Sequence, residues 1–229
     1  MKINIIGDIA GRYDELMLLL SKMPEADLII AVGDLIDRGP KSKEVVEWFM
    51  NNDKAIAIYG NHEDLMINGI VHKDMRLWLH NGGDATLRSY LEEGQDAIDS
   101  ADVPVQHLQW LQTLPLWYQT DDLFISHAPV TSLKYIPGQY DERHRRPEEG
   151  SFIWNRTEPK KPQNKFMIYG HNGKFKKHKS GDGSEFAICI DNSHSGRLTG
   201  IHWPTKEIFS QDFLDREEHK DLYCDIEAR

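Results

Sequence analysis

The chain has 229 residues, and its 27 Lys and Arg against 37 Asp and Glu give a formal net charge of −10. This length fits one large domain or two small ones, and a mean hydropathy of −0.58 without any run of 18 apolar residues excludes a membrane-spanning protein. The acidic balance disfavours stable nucleic-acid binding, which depends on clustered Lys and Arg, but it allows a phosphorylated substrate held by a few local cations.

Two features of the sequence bear on the compartment. The first residues, Met1 to Asn4, lead into a short apolar run without the long apolar region or cleavage site of a secretory signal. Cys189 and Cys224 form no Cys-x-x-Cys pair, which disfavours a disulfide scaffold. Both observations favour a reducing, cytoplasmic location.

The first sixty residues predict three repeats of a buried strand followed by a polar turn. The strands are Ile3–Ile6, Leu28–Val32 and Ala55–Tyr59, and helices are predicted at Tyr13–Ser21 and Ser42–Met50. Short apolar runs that alternate with helical periods are typical of βαβ units and of a largely parallel sheet. In such sheets the carboxyl ends of the strands carry the ligand site, so we expect it at these turns.

A helical pattern occupies the middle of the chain, from Glu63 to Leu114, and strands return after it. They are predicted at Leu123–Ile125, Phe166–Tyr169 and Phe186–Ile190, and two more lie in Arg197–Gln211 around Pro204-Thr205. The Lys-rich stretch Lys174–Lys179 is interpreted as a solvated loop, with steering of an anionic substrate as the alternative.

Five of the predicted strands are followed by a polar side chain that can bind a metal ion. These side chains are Asp8, Asp34, Asn61, His127 and His171, and each follows a Gly or a Ser. A single Asp after a strand is commonly a helix cap or a turn residue. Two carboxylates, an amide oxygen and two imidazoles at five strand ends instead predict a site for a borderline divalent ion such as Mn²⁺, Zn²⁺ or Fe²⁺.

These residues stand in blocks that resemble the signature blocks of the calcineurin-like metallophosphoesterases. The blocks are Gly7–Gly11, Gly33–Gly39, Gly60–Glu63, Ser126–Ala128 and Gly170–Asn172. Asp37-Arg38-Gly39 and Ile153–Arg156 further resemble the phosphoprotein phosphatase branch. The likeness is greatest to small bacterial and bacteriophage members, the serine/threonine phosphatases of the lambda type, and it runs from residue 2 to residue 211.

The resemblance implies a fold and a metal centre. The fold is an α/β class, four-layer α/β/β/α sandwich, formed as a single domain over residues 1–229. Two divalent ions would be bridged by Asp34 and a hydroxide, with Asp8 on the first ion. Asn61, His127 and His171 would complete the shell of the second ion. Two ions about 3.5–4 Å apart acidify a bridging water and neutralise phosphate oxygens during in-line attack.

The resemblance also implies roles for four residues around the phosphate. Arg38 and Arg156 are the planar, bidentate donors that a phosphate group favours, and they would bind the substrate. His62 would protonate the leaving-group oxygen as the general acid. Asp37 would hold the imidazole of His62 and stabilise its charged form.

One position departs from the family pattern. The first block is normally Asp-x-His, but Ala10 replaces the His, and Gly173 stands where a related Gly-His-x-His pattern has another imidazole. An ion held by Asp8, Asp34 and solvent is expected to be Mn²⁺ or Mg²⁺ and to bind weakly. After the last core strand, His194 or Asn192 could approach this depleted site, or they could simply form a polar turn.

The sequence therefore predicts metal-dependent hydrolysis of phosphomonoesters by direct attack of a metal-bound hydroxide. The substrate would be a phosphorylated protein or a small phosphoester. Two alternatives remain open: symmetrical cleavage of diadenosine tetraphosphate, and an inactive, phosphate-binding pseudo-enzyme. Ala10 is the whole support for the second, and the intact pair of Asp37 and His62 argues against long neutral decay.

Overall fold

The computed structural model describes residues 1–91, 102–131, 152–161 and 164–214. The strands in these ranges are β1 (Ile3–Ile6), β2 (Leu28–Ala31), β3 (Ala55–Ala57), β4 (Trp117–Gln119), β5 (Leu123–Ser126), β6 (Phe166–Tyr169), β7 (Lys176–Lys179), β8 (Glu185–Cys189), β9 (Arg197–Trp203) and β10 (Glu207–Asp212). The α-helices are α1 (Tyr13–Lys22), α2 (Ser42–Met50), α3 (Asn61–Val71), α4 (Arg76–Trp78), α5 (Asp84–Ser89) and α6 (Val105–Thr113). The segment Leu79–Gly83 joins α4 to α5, and its helical path is kinked at Gly82, whose φ is 100°. Within the described ranges, no helix is both long and apolar enough to cross a membrane.

The strands form two five-stranded sheets, in the orders β10-β9-β1-β2-β3 and β4-β5-β6-β8-β7. The central strands pair in parallel, β1 with β2 and β3 in the first sheet and β5 with β6 and β8 in the second. β9 pairs antiparallel with both β1 and β10, and β4 and β7 are antiparallel edge strands. The sheets are therefore mixed, and the predicted largely parallel arrangement holds only for their centres.

An apolar layer between the two sheets is built by alternate residues of their strands. Ile3 and Ile5 of β1 share one buried cluster with Ile125 of β5 and Ile168 of β6. The next residue of β1, Ile6, belongs to the cluster that packs against the helices. Because side chains alternate between the faces of a strand, one strand serves both layers. Two sheets flanked by helices confirm the predicted α/β/β/α sandwich.

The edge strand β7 corrects the interpretation of the Lys-rich stretch as a loop. Its Lys side chains are exposed, and only His178 turns inward. The sequence of β7 shows no alternation of apolar and polar residues, because only one of its side chains faces the interior. Lys side chains on an edge strand discourage pairing with another sheet. Cys189 is a buried free thiol in β8, whereas Cys224 lies outside the described residues.

Candidate metal centre

Turns from both sheets meet at one end of the sandwich and bring the five predicted ligands together. All five side chains are buried, with at most 6% of their surface exposed. Asp8, Asp34 and His127 place one ligand atom each within 4.8 Å of one another. The Asn61 side-chain oxygen lies 2.9 Å from His127 Nε2 and 2.7 Å from His171 Nδ1.

The tautomer of His127 shows why this cluster fits a cation. His127 Nδ1 lies 3.0 Å from the carbonyl oxygen of Val32, which can only accept, so Nδ1 carries the proton of a neutral ring. His127 Nε2 then presents a lone pair to the Asn61 oxygen and, at 3.3 Å, to Asp34 Oδ1. Lone pairs that converge in a buried space repel one another unless a cation lies between them. A backbone carbonyl behind the imidazole is also the usual support of a metal-ligating His.

The protonation states of the two imidazoles, His127 and His171, also fit a cation site. Burial lowers the pKa of His127, and burial with the neighbouring His127 lowers the pKa of His171 to about 2. Both rings are therefore neutral, which is the form that binds metals. His171 Nε2 is buried without a hydrogen-bond partner in the described part of the chain. The residues present thus fit a centre of divalent ions.

Glu63 joins two of the turns that carry ligands. Its side chain is fully buried and accepts hydrogen bonds from three backbone N–H groups. These are Asp34 at 3.0 Å, Leu35 at 2.8 Å and Gly60 at 2.8 Å. The turn after β2 is thereby tied to the start of α3, where Asn61 and His62 lie. Asp34 itself has a positive φ of 50°, and its carboxylate accepts the backbone N–H of His62 at 3.0 Å.

His62 and Asp37 form the close pair that the resemblance implies. His62 Nδ1 lies 2.6 Å from Asp37 Oδ2, and Asp37 is fully buried. Burial opposes protonation of His62, but the negative charges of Asp34 and Asp37 outweigh it and raise its pKa. Trp78 Nε1 and the Thr86 hydroxyl donate to Asp37 Oδ1 at 2.9 and 2.6 Å. No local pattern in the sequence indicates these two contacts.

The two predicted phosphate-binding arginines reach the centre from separate turns. Arg38 is exposed, and its Nη2 lies 3.0 Å from His62 Nε2. Arg156 is also exposed, and its Nη1 donates to the carbonyl oxygen of His171 at 3.2 Å. Two guanidinium groups at the rim of a buried acidic cluster form a suitable receptor for a phosphate group.

The two candidate substitutes for the missing His, Asn192 and His194, have other contacts. Asn192 donates to the Thr199 hydroxyl at 3.4 Å, and the ring of His194 packs directly against Gly173. Asp191 precedes them and is only 2% exposed. No ligand pattern in the sequence marks Asp191. It follows a strand as the predicted ligands do, but Ile190 precedes it rather than a Gly or a Ser.

Comparison with known proteins places the chain in a family. Residues 1–195 match the family model described as calcineurin-like phosphoesterase. Serine/threonine-protein phosphatase 2 of Escherichia coli K12 is 32% identical over 138 residues, which cover 59% of this chain and 62% of that protein. The symmetrical bis(5'-nucleosyl)-tetraphosphatase of Nitrosococcus oceani is 36% identical over 147 residues, which cover 62% of this chain and 46% of that protein.

The matched stretch therefore spans less than two thirds of either relative. A solved metallophosphoesterase from Sphaerobacter thermophilus has the same fold, with a TM-score of 0.60 at 15% identity over 95% of this chain and 90% of that one. The names of the relatives are consistent with the phosphoprotein phosphatase branch. Because residues 1–195 match this family model, the chain belongs to the calcineurin-like phosphoesterase family.

Proposed function

We propose that the chain hydrolyses phosphoesters at a centre of two divalent ions, with Mn²⁺ as the preferred metal. The proposed ligands are Asp8, Asp34, Asn61, His127 and His171. The observation that carries the proposal is the convergence of His127 Nε2 on the oxygens of Asn61 and Asp34, beside the two arginines. Since both sheets contribute ligands, we also propose one functional domain over residues 1–229.

The ligands divide between the two ions as follows. Asp34 would serve both ions, Asp8 would hold the first, and Asn61, His127 and His171 would hold the second. Divalent ions bound here supply an activated water as the nucleophile and neutralise charge on the phosphate oxygens. Glu63 fixes the backbone on either side of this centre through its three N–H acceptor contacts, so that the ligands are held before substrate arrives.

The chain's own residues then bind the phosphate and move one proton. Arg38 and Arg156 donate to the phosphate oxygens in place of their present contacts. Once Arg38 contacts the phosphate, Nε2 of His62 is free to hold a proton for the leaving-group oxygen. Asp37 accepts from the opposite ring nitrogen at 2.6 Å and stabilises the imidazolium. Trp78 and Thr86 keep Asp37 oriented.

We propose phosphomonoesters as the substrates, in a phosphorylated protein or a small molecule. The relative named as a serine/threonine-protein phosphatase supports this choice. A second candidate is the symmetrical cleavage of diadenosine tetraphosphate, which the 36% identity to a symmetrical bis(5'-nucleosyl)-tetraphosphatase favours. A cytoplasmic location stays a prediction.

A substrate screen of the reconstituted protein tests the proposal. The chain is stripped with a chelator and reloaded with Mn²⁺, Mg²⁺, Zn²⁺ or Fe²⁺. Each form is assayed with a phosphoserine peptide, diadenosine tetraphosphate and an aryl phosphate, with Asp34→Asn as the matched inactive control. We expect phosphate release from the peptide and the aryl ester, most strongly with Mn²⁺. Release of ADP alone would support the second candidate, and no turnover with any metal would support the pseudo-enzyme.

A further inference from the structure

We propose that His178 is a positioning residue for Arg156, which it holds at the rim of the centre through Glu158. His178 lies on the edge strand β7, and Arg156 lies in the segment 152–161. The inference rests on the proposed function, because that function assigns Arg156 to the substrate phosphate. His178 stands in the Lys-rich stretch of the sequence, where no pattern indicates a role for its ring.

His178 lies on the face of the second sheet that the segment 152–161 covers. Ala187 of β8 belongs to the buried cluster that also contains Phe152 and Ile153 of this segment. His178 is the partner of Ala187 in the pairing of β7 with β8. Directly opposite residues of two paired strands point to the same face of a sheet. The ring of His178 is therefore buried beneath the segment that carries the arginine.

Both ring nitrogens of His178 have partners. Nε2 lies 2.6 Å from the hydroxyl oxygen of Tyr169, and Nδ1 lies 2.8 Å from Glu158 Oε2. Tyr169 is buried in β6, whereas Glu158 is exposed. Lys176 pairs with the other carboxylate oxygen of Glu158, but such a pair of exposed side chains contributes little by itself. His178 is thus the contact that joins Glu158 to the interior of the sheet.

The charges of the partners fix the direction of both hydrogen bonds. The hydrogen bond from Lys176 lowers the pKa of Glu158, so the carboxylate is ionised at neutral pH and can only accept. Burial lowers the pKa of His178, so the ring is neutral and carries one proton. That proton is on Nδ1, which donates to Glu158, and Nε2 accepts from the Tyr169 hydroxyl. Hydrogen bonds to an ionised carboxylate are stronger than those between neutral groups.

Arg156 lies between two residues that are held to the rest of the fold. On one side, the buried side chain of Asn155 donates to the carbonyl oxygen of Pro129 at 2.6 Å. On the other side, Glu158 accepts from His178. Backbone atoms two residues apart are separated by at most about 7 Å, so Glu158 restricts where the backbone of Arg156 can lie. Loss of the His178 contact would leave the segment held mainly on the Asn155 side.

The strand that supports His178 also leads to the metal centre. Tyr169 precedes His171 by two residues, and the guanidinium of Arg156 donates to the carbonyl oxygen of His171 at 3.2 Å. His178 therefore ties the segment to the strand whose end Arg156 faces. A long, exposed Arg side chain loses conformational freedom when it binds a phosphate, and a segment already in position reduces that cost. We expect the contribution of His178 to appear in phosphate binding.

Binding of inorganic phosphate to the Mn²⁺-loaded protein tests the inference. It is measured as the inhibition constant against hydrolysis of an aryl phosphate, together with KM and kcat. Arg156→Ala should weaken phosphate binding by about 10–100-fold, through the loss of charged hydrogen bonds. His178→Phe keeps an apolar ring but loses both hydrogen bonds, and it should weaken phosphate binding by about 2–10-fold. KM should rise in proportion with little change in kcat, whereas a variant that is merely less stable loses active protein and lowers kcat alone.

A double variant shows whether the effect passes through Arg156. When the side chain of Arg156 is already absent, its position no longer matters for the phosphate. His178→Phe should therefore change neither the inhibition constant nor KM any further in the Arg156→Ala background. Equal effects of His178→Phe with and without Arg156 would overturn the inference.

Conservative variants identify the contact that matters. His178→Asn places an amide donor near the position of Nδ1 and should restore much of the phosphate binding, whereas His178→Gln places its amide near Nε2 and should not. Glu158→Ala should reproduce His178→Phe, and it keeps the test open if His178→Phe does not fold, because Glu158 is exposed. Glu185→Ala is the matched control: it removes the partner of Lys177 on the same strand and should bind phosphate as the unmodified chain does.

Amide hydrogen exchange gives a readout that does not depend on activity. Peptides from residues 152–161 should exchange faster in His178→Phe and in Glu158→Ala, and peptides from β1 should not. Unchanged exchange together with unchanged phosphate binding in both variants would overturn the inference, even if Arg156→Ala binds phosphate weakly. If the unmodified, Mn²⁺-loaded chain neither binds phosphate nor hydrolyses the aryl phosphate, the proposed function itself fails and the inference fails with it.

Discussion

The ring of His62 is held at both nitrogens, by Asp37 on one side and by Arg38 on the other. The Nδ1 contact of 2.6 Å and the Nε2 contact of 3.0 Å leave the imidazole a single orientation. Only the Arg38 contact involves an exposed side chain, so only that contact is open to exchange for a substrate. The ring is therefore positioned before substrate binds, and its Nε2 atom is the one that becomes available.

His62→Ala tests the assignment of the proton donor. We expect turnover of a serine phosphate to fall by about 10²–10⁴-fold, the usual contribution of a general acid. The loss should be much smaller on an activated aryl phosphate, whose leaving group needs no proton. Bound metal should stay near its normal content. His72→Ala, at an exposed His, is the control, and an equal loss on both substrates would contradict the assignment.

Asp34→Asn should be the most damaging single change at the centre. The side chain is the carboxylate proposed to serve both ions, and its loss leaves two divalent cations facing each other less screened. Asn tolerates the positive φ of 50° at this position, so the backbone should persist. We expect loss of metal by elemental analysis with a normal circular dichroism spectrum. Two retained ions and normal turnover would rule out the two-ion proposal.

At the scale of single residues, the role of a side chain can be predicted from the sequence when a local pattern marks that side chain. The five proposed ligands each follow a strand and a Gly or a Ser, so that pattern found them. Trp78 and Thr86 reach Asp37 from 41 and 49 residues further along the chain. Only tertiary packing creates such contacts, so no local pattern indicates them.

At the scale of elements, Glu63 connects the turn after β2 with the start of α3. Of its three acceptor contacts, two go to one oxygen and one to the other. Both carboxylate oxygens are therefore in use, and each accepts from a backbone group next to a proposed ligand. The two turns are therefore held together only while both oxygens of Glu63 accept these hydrogen bonds.

Glu63→Gln should loosen this connection. The amide nitrogen of Gln donates, so at least one buried backbone N–H would face another donor. An unsatisfied buried group costs about 1–3 kcal/mol, which lowers the melting temperature by about 2–12 °C in a chain of this size. Thermal unfolding measures it, with the exposed Glu25→Gln as the control. Equal melting temperatures of Glu63→Gln and the unmodified chain would show that this connection does not stabilise the fold.

The predictability of the elements follows their burial. The amphipathic helix α2 has the predicted bounds, Ser42–Met50, because one face packs on the core. Strand β4 is only half-buried along its length, and β7 turns a single side chain inward. Neither carries an apolar period, because neither buries a continuous face. β4 and β7 were thus missed, whereas the mostly exposed β10 was predicted from its place after Pro204-Thr205.

At the scale of the whole molecule, the proposed ligands come from both sheets. Asp8 and Asp34 follow strands of the first sheet, and His127 and His171 follow strands of the second. Ions held by all four would connect the sheets at one end of the sandwich. The two sheets also share a buried apolar layer.

Metal should therefore raise the melting temperature of the entire chain. Binding to the folded form alone adds about 2.7 kcal/mol at a free metal concentration of 100 times Kd, or about 5–11 °C at this chain length. Differential scanning calorimetry of the stripped protein with and without Mn²⁺ measures the shift. Asp34→Asn should show a smaller one. A stripped chain whose melting temperature does not respond to Mn²⁺ would contradict metal binding across the sheets.

The place of β1 in its sheet has a consequence for the order of events during synthesis. β1 lies between β2, which follows it closely in the chain, and β9, which ends only at Trp203. A nascent chain on the ribosome thus holds the Asp8 turn beside an open strand edge until β9 emerges, and such long-range pairing is slow. The second sheet is completed late too, because β8 must be made before it can pair with β6. Binding of metal to the proposed ligands is accordingly expected only after the chain has been made through His171, since these ligands come from both sheets.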